Sequence, residues 1–428
     1  MLFRKKPFPT KVDYYKIPLV DLSVKPESTP DSLGYLFEYS IIDDSAAYLG
    51  HPDSVLLKNG DILTLYPKGH GKGAILSKIS DDGGVTYNKT IENQPVSWED
   101  SLETPTIYRL QFKNGDEKLI LVSANSKWPG MSTLGGFNSS ISTDEGKTWT
   151  EFKRFWDNDS EMPLIPIVAM ASLTRLKENG EFVDKWMGIF HDSGFVNYKT
   201  ILTFQENGEY NWSKPEPYLS QYRDIETYAG ICEVECVRSD RGMGDELCLI
   251  ARCNKKKNTS LLIFSNDEGK TWSKPVEAPV TLNGERHKAE WMPDGRLFIT
   301  FRSIERNKKM VKKMRKDGGK KTWYSEGWIA WVGTYDDLKN GNEGQYRIKI
   351  AHTYIEHQNE PSLSANADTG YCGNVVLHDG TVVTSSYGVF SPEEKEEGKY
   401  KTDKGRQKRK TFIVSKRIKL SDVEKLIK

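Results

Sequence analysis

The 428-residue sequence predicts an all-β fold, a six-bladed β-propeller of four-stranded antiparallel blades. Three observations carry this. A Ser-x-Asp-x-Gly-x-Thr-Trp string stands at Ser142–Trp149 and again at Ser265–Trp272, with a worn copy at Ser80–Tyr87 and a degraded one at Phe204–Trp212. The four beats are spaced by 62, 62 and 61 residues, and a fixed period of that size marks structural units that stack to share a core. Between the beats, short alternating segments are joined by Asn59-Gly60, Asp294-Gly295 and Asp379-Gly380, turns that need positive φ and so mark hairpins.

Taken in order, the first unit reads HPDSVLL, turn, DILTLYP, then AILSKIS. The fourth is the most complete: AGICEVECVRS, LCLIARCN, TSLLIFSNDEG and KTWSKPVEAP give four short strands, with the repeated string at the third turn. The fifth reads HKAEWM, RLFITFR and WIAWVGTY; the sixth reads NVVL, TVVTSSYG and TFIVSKR. Six units of about 61 residues fill roughly 48–416. GYLFEYSII (34–42) is expected to supply the last strand of blade 6 and close the ring. The expected organisation is a lead-in over 1–33, one propeller over 34–418 and a tail over 419–428.

The repeated string is itself a turn device. Its Asp can accept from backbone N–H groups, its Gly takes a positive φ, and its Trp starts the next strand and packs between blades. A structural role is expected for these aspartates.

Composition narrows the partners. Lys+Arg 61 against Asp+Glu 60 gives a net charge of +1, which argues against a polyanion partner such as nucleic acid. No apolar run approaches 18 residues, so no membrane span is expected. The start MLFRKKPFPTKVDYY has no apolar stretch of a signal peptide, and the expectation is a cytoplasmic protein. Five scattered cysteines (232, 236, 248, 253, 372) suit reduced thiols packed on strands. No cofactor is expected, because no phosphate loop, dinucleotide fingerprint or metal-ligand spacing occurs. Two basic stretches, 306–321 and 395–410, interrupt second-to-third strand connections and could form a rim that attracts an anionic glycan.

Antiparallel strand order locates a site. The hairpin turns and repeated strings share one face. The starts of first strands and the ends of second strands share the other, around the central channel. There the sequence places His51, Glu103, Glu233, Arg286 and Tyr371 at or near first-strand starts, and His70, Lys72, His191, Asp192, Arg252, Arg302 and Tyr387 near second-strand ends. So many ionisable and aromatic groups are not required for folding, which makes the ring a candidate site.

With those residues in view, the chain resembles the sialidase (neuraminidase) superfamily, whose Asp-box repeat is the string above. The resemblance spans nearly the whole chain. It implies Tyr371 (in TGYCGNVVLHDG) as nucleophile, Glu233 (in ICEVECV) as its base, and Arg252 (in LIARCN) with Arg302 or Arg286 as a clamp for a substrate carboxylate. A Tyr nucleophile is an exception to the two-carboxylate scheme of glycosidases. Two places depart from the pattern. His51 (in GHPDSVLL) stands where the family has its first clamp Arg, and the blade-1 loop YPKGHGKGAIL offers His70 and Lys72 but no Asp. His70, Glu103 or Asp192 could then supply the acid. The implied function is a retaining exo-glycosidase acting on a terminal sialic acid or related acidic sugar. A uronate polysaccharide lyase and a non-catalytic glycan-binding propeller stay open beside it.

Overall fold

Six antiparallel sheets follow one another around a channel in a computed structural model, forming the six-bladed propeller. The structure describes residues 15–70, 73–101, 103–125, 134–225, 228, 230–254, 260–306, 308–314, 323–354, 364–391 and 410–427. Blades 2, 4 and 6 have four strands in simple order. Blade 4 runs Ile231–Arg238, Leu247–Cys253, Leu261–Ser265 and Val276–Glu277, as its alternation suggested.

Blade 6 is closed by Ser40–Asp43, which pairs with Phe412–Ile418, so the two ends of the chain lock the ring together. This strand is shorter than the stretch 34–42. Asp31–Phe37 is a 3-10 helix entered from Pro30, and its Leu33 and Leu36 are buried in the core between blades 5 and 6. The lead-in also contributes Leu19–Asp21, which lies parallel to Tyr346–Ala351 as a fifth strand of blade 5. The tail forms the short helix Leu420–Glu424, with Leu420 and Val423 buried in the same core.

Blade 1 has three strands, Asp53–Leu56, Ile62–Pro67 and Ile75–Ser80, with the fourth reduced to the single bridge Ile79–Lys89. Side chains replace the missing ladder. The Gln94 amide donates to the carbonyl of Ile75, and the N–H of Ile91 donates to Ser77 Oγ. Pro95 then starts a 3-10 helix, which a continuing strand could not accommodate.

The Asp boxes are built alike. In the copy at Ser142, Asp144 accepts from the N–H of Thr148 at 2.9 Å and from Ser142 Oγ at 2.9 Å, while the N–H of Gly146 donates to Ser142 Oγ at 2.8 Å. The copies at Ser80 and Ser265 repeat this pattern. Gly84 shows why Gly is required: its φ is +87°, and a Cβ there would sit 2.7 Å from Val383 of blade 6.

Apolar side chains bury between neighbouring blades. Phe137, Trp186, Phe190 and Trp212 fill the wedge between blades 2 and 3, and Met187, Tyr218 and Leu249 that between blades 3 and 4. The innermost strands instead put Asp53, Glu235 and Lys288 towards one another, with Lys288 Nζ 3.4 Å from Asp53. The cysteines are free thiols on strands. Among the described residues, no helix is long and apolar enough to cross a membrane.

Candidate active site

A cavity of about 610 Å³ opens where first strands begin and second strands end. Local backbone geometry aims its lining. The innermost strand of blade 4 has a register shift between Cys232 and Glu235, and Glu233 within it has φ +47°. Arg286 lies in the matching bulge of blade 5 with φ +54°, and His51 precedes blade 1 with φ +53°. A bulge turns one side chain out of the pleat, and left-handed backbone on a non-glycine residue costs about 1–3 kcal/mol, so these positions are held by their surroundings.

On the cavity wall the hydroxyl of Tyr371 donates to Glu233 Oε1 at 2.5 Å. Arg252 Nη1 donates to both oxygens of Glu233, at 2.9 and 2.8 Å, and lies 3.4 Å from Tyr371 Oη. Burial pushes the Glu233 carboxyl up, but the Arg252 charge and the Tyr371 hydrogen bond outweigh it and hold it at about 2. Burial, then the Glu233 charge, raise the Tyr371 phenol well above its usual value. At neutral pH the couple is therefore a phenol bonded to a carboxylate.

Of the expected site residues, the structure gathers His51, His70, Glu103, His191, Asp192, Glu233, Arg252 and Tyr371 around this cavity. The ring of His51 meets that of Tyr371 edge-on at 4.6 Å, and its Nδ1 is buried with no hydrogen-bond partner. Burial drives His51 well below its usual pKa and takes His191 to about 4, so both are neutral at pH 7. Glu103 accepts from the N–H and the hydroxyl of its neighbour Thr104, each at 3.0 Å.

Arg302, Tyr387 and Arg286 are not among the residues that line this cavity. Arg302 and Tyr387 form a layer behind Tyr371: the Arg302 guanidinium lies 4.9 Å from the Tyr371 ring and donates to Thr369 O and Tyr387 Oη. Arg286 is buried and donates to the carbonyl of Ala171, facing the channel charges rather than the cavity. Asp192 uses one carboxylate oxygen to accept from the N–H groups of Gly194 and Val196, which ties it into its own turn. Lys72 lies outside the described residues, as do 307, 315–321 and 395–409 of the two basic stretches.

Sequence reasoning missed Glu285, Tyr48 and Asp368. Glu285 is the counter-ion of the arginine layer, 3.5 Å from Arg252, 3.3 Å from Arg302 and 2.6 Å from Arg306. Its signal was its place beside Arg286 at a first-strand start. Asp368, three residues before Tyr371, accepts from the hydroxyls of Tyr48 and Tyr387.

Residues 97–330 match the model of the BNR repeat-like domain. The chain belongs to the BNR repeat-like family. Solved structures share the fold of this BNR propeller at low sequence identity. A protein of unknown function from Dyadobacter fermentans superposes with a TM-score of 0.55 at 15% identity, covering 89% of this chain and 97% of that one. An α-L-arabinanase from Penicillium chrysogenum complexed with arabinobiose gives 0.54 at 13%, covering 90% and 98%. The NanB sialidase from Streptococcus pneumoniae gives 0.51 at 10%, covering 90% and 71%. No curated protein sequence matches the BNR chain.

Proposed function

We propose that the cavity is the active site of a retaining exo-glycosidase in which Tyr371 attacks the anomeric carbon and Glu233 takes its proton. The observation that carries this reading is the 2.5 Å contact between the two, bridged by Arg252. A phenol suits a sugar with a carboxylate on its anomeric carbon, which would repel a carboxylate nucleophile. The substrate class is therefore a terminal sialic acid or a related acidic sugar. Arg252 would share its fork with the substrate carboxylate. Its hold on Glu233 would loosen at that moment, making Glu233 a stronger base when it is needed.

A second reading rests on charge. The cavity is lined by Glu103, Asp192 and Glu233 against Arg252, with His51 and His191 neutral. That balance favours a neutral sugar, with Glu233 as nucleophile and Glu103 as acid in the two-carboxylate scheme. The arabinobiose-bound arabinanase shares the fold and supports the same direction.

The test is a panel of fluorogenic glycosides, including the α-sialoside and the α-L-arabinofuranoside, with Tyr371→Phe and Glu233→Gln variants. Trapping with a fluorinated glycosyl donor followed by peptide mass spectrometry places the adduct on Tyr371 in the first reading and on Glu233 in the second. Sugar binding without turnover overturns both in favour of a binding propeller. An ultraviolet-absorbing unsaturated product from uronates would mean a lyase.

A further inference from the structure

Beside the Tyr371–Glu233 couple runs a second hydrogen-bonded chain. His70, on the connection after the second strand of blade 1, lines the cavity with more than half of its side chain exposed. Its Nδ1 lies 2.5 Å from Tyr48 Oη. Tyr48 Oη donates to Asp368 Oδ2 at 2.9 Å, and Asp368 Oδ1 lies 3.7 Å from the same ring nitrogen. The second carboxylate oxygen also accepts from Tyr387 Oη at 3.1 Å, and Tyr387 in turn accepts from Arg302 at 2.8 Å. Tyr48 and His51 pack edge-on against the imidazole, at 5.3 and 4.7 Å. Blade 1 thus borrows from blade 6 the carboxylate that its own loop lacks.

Proton counting fixes the state of the ring. A phenol has one proton, and Tyr48 gives its proton to Asp368, whose carboxylate can only accept. The contact between Tyr48 Oη and His70 then needs a proton on Nδ1. Nε2 is the nitrogen at which this ring gains and loses its second proton.

We propose that His70, as the imidazolium, donates the leaving-group proton from Nε2, and that Tyr48 and Asp368 are positioning residues that keep Nδ1 protonated, so that the transfer leaves the neutral Nδ1–H tautomer. This rests on the Tyr371 reading above. In the first step the Tyr371 oxygen bonds to the anomeric carbon while its proton passes to Glu233. The exocyclic C–O bond breaks, and the departing oxygen takes the proton of His70 Nε2. In the second step water gives a proton back to Nε2 as it attacks the anomeric carbon. The bond to Tyr371 breaks, and Glu233 returns the phenol proton. Glu103, already bonded to Thr104, is not needed.

The test pairs two glycosides of one sugar, a 4-nitrophenyl glycoside that leaves without help and a methyl glycoside that does not. His70→Gln should lower kcat on the methyl glycoside by about 10²–10⁴-fold, the usual contribution of a general acid, and by less than ten-fold on the nitrophenyl glycoside. Tyr48→Phe and Asp368→Asn should show the same asymmetry at smaller size. Long-range ¹H–¹⁵N spectra supply a readout independent of turnover. At a pH where the ring is neutral, the histidine signal lost in His70→Gln should be Nδ1-protonated in the wild type and Nε2-protonated in Tyr48→Phe. Equal losses on both glycosides, or an Nε2–H tautomer in the wild type, overturn the proposal. A wild-type protein that turns over no glycoside at all removes the glycosidase reading and the donor role with it, whereas turnover with equal losses removes the donor role alone.

Discussion

Tyr371 Oη and Glu233 Oε1 lie 2.5 Å apart although 138 residues separate them, one at the opening of blade 6 and the other in the bulge of blade 4. Only closure of the ring brings them together. If the phenol is the nucleophile and the carboxylate its base, Glu233→Gln should lower kcat by about 10²–10⁴-fold with little change in KM. Tyr371→Phe should abolish the covalent adduct while sugar binding survives. Steady-state kinetics on the responding glycoside, with intact-mass analysis, would show it.

On the proposed reading Arg252 clamps the substrate carboxylate as well as holding Glu233. In Arg252→Lys the charge stays and the fork is lost. Hydrogen bonds to a charged group contribute about 1.5–3 kcal/mol, so KM for an acidic sugar should rise roughly 10- to 100-fold. A neutral sugar should be unaffected. The ratio of the two KM changes reads the substrate class directly, and equal changes would remove the clamp.

The Asp boxes should matter for stability and not for activity. Asp144→Ala removes acceptors for Thr148 and Ser142 and should cost about 1–2 kcal/mol in urea unfolding. A loss of turnover at unchanged stability would contradict the structural role.

The same carboxylates set an acid dependence. Burial pushes Asp82 up, but hydrogen bonds from Thr86 and Ser80 outweigh it and hold it at about 2; Asp144 and Asp267 are lowered for the same reason. A depressed carboxyl binds fewer protons folded than unfolded. Its contribution is therefore present above about pH 4, the unfolded range, and is lost as pH falls towards about 2. Replacing all three by Asn should flatten the fall of stability with acid in that window, measured by thermal melts at fixed ionic strength.

Glu326 and Arg347 form a fully buried pair at 2.7 Å, with the Tyr15 ring 3.8 Å from the guanidinium. Two further nitrogens of Arg347 have no hydrogen-bond partner, so Glu326 is its main compensation. Glu326→Ala should destabilise by about 3–5 kcal/mol, because it leaves a buried charge alone. The double replacement Glu326→Met with Arg347→Leu should recover most of this loss in denaturant titrations.

Much of the propeller was legible because its signals are local. The Asp-box period, the Asn-Gly and Asp-Gly turns and the strand alternation each act within about ten residues, where backbone conformation is decided. Their order alone put His51, Glu233, Arg252 and Tyr371 at one end of the channel, and the structure gathers them there. Depth was not legible. Nothing in LFITFR says that Arg302 sits behind Tyr371 instead of beside the substrate, since that depends on how far blades 5 and 6 lean together. Asp368 and Tyr48 lie on irregular connections, which carry no period to reveal their direction. Their meeting at His70 is a property of the closed ring, which brings Tyr48 and Asp368 together at the cavity although 320 residues separate them.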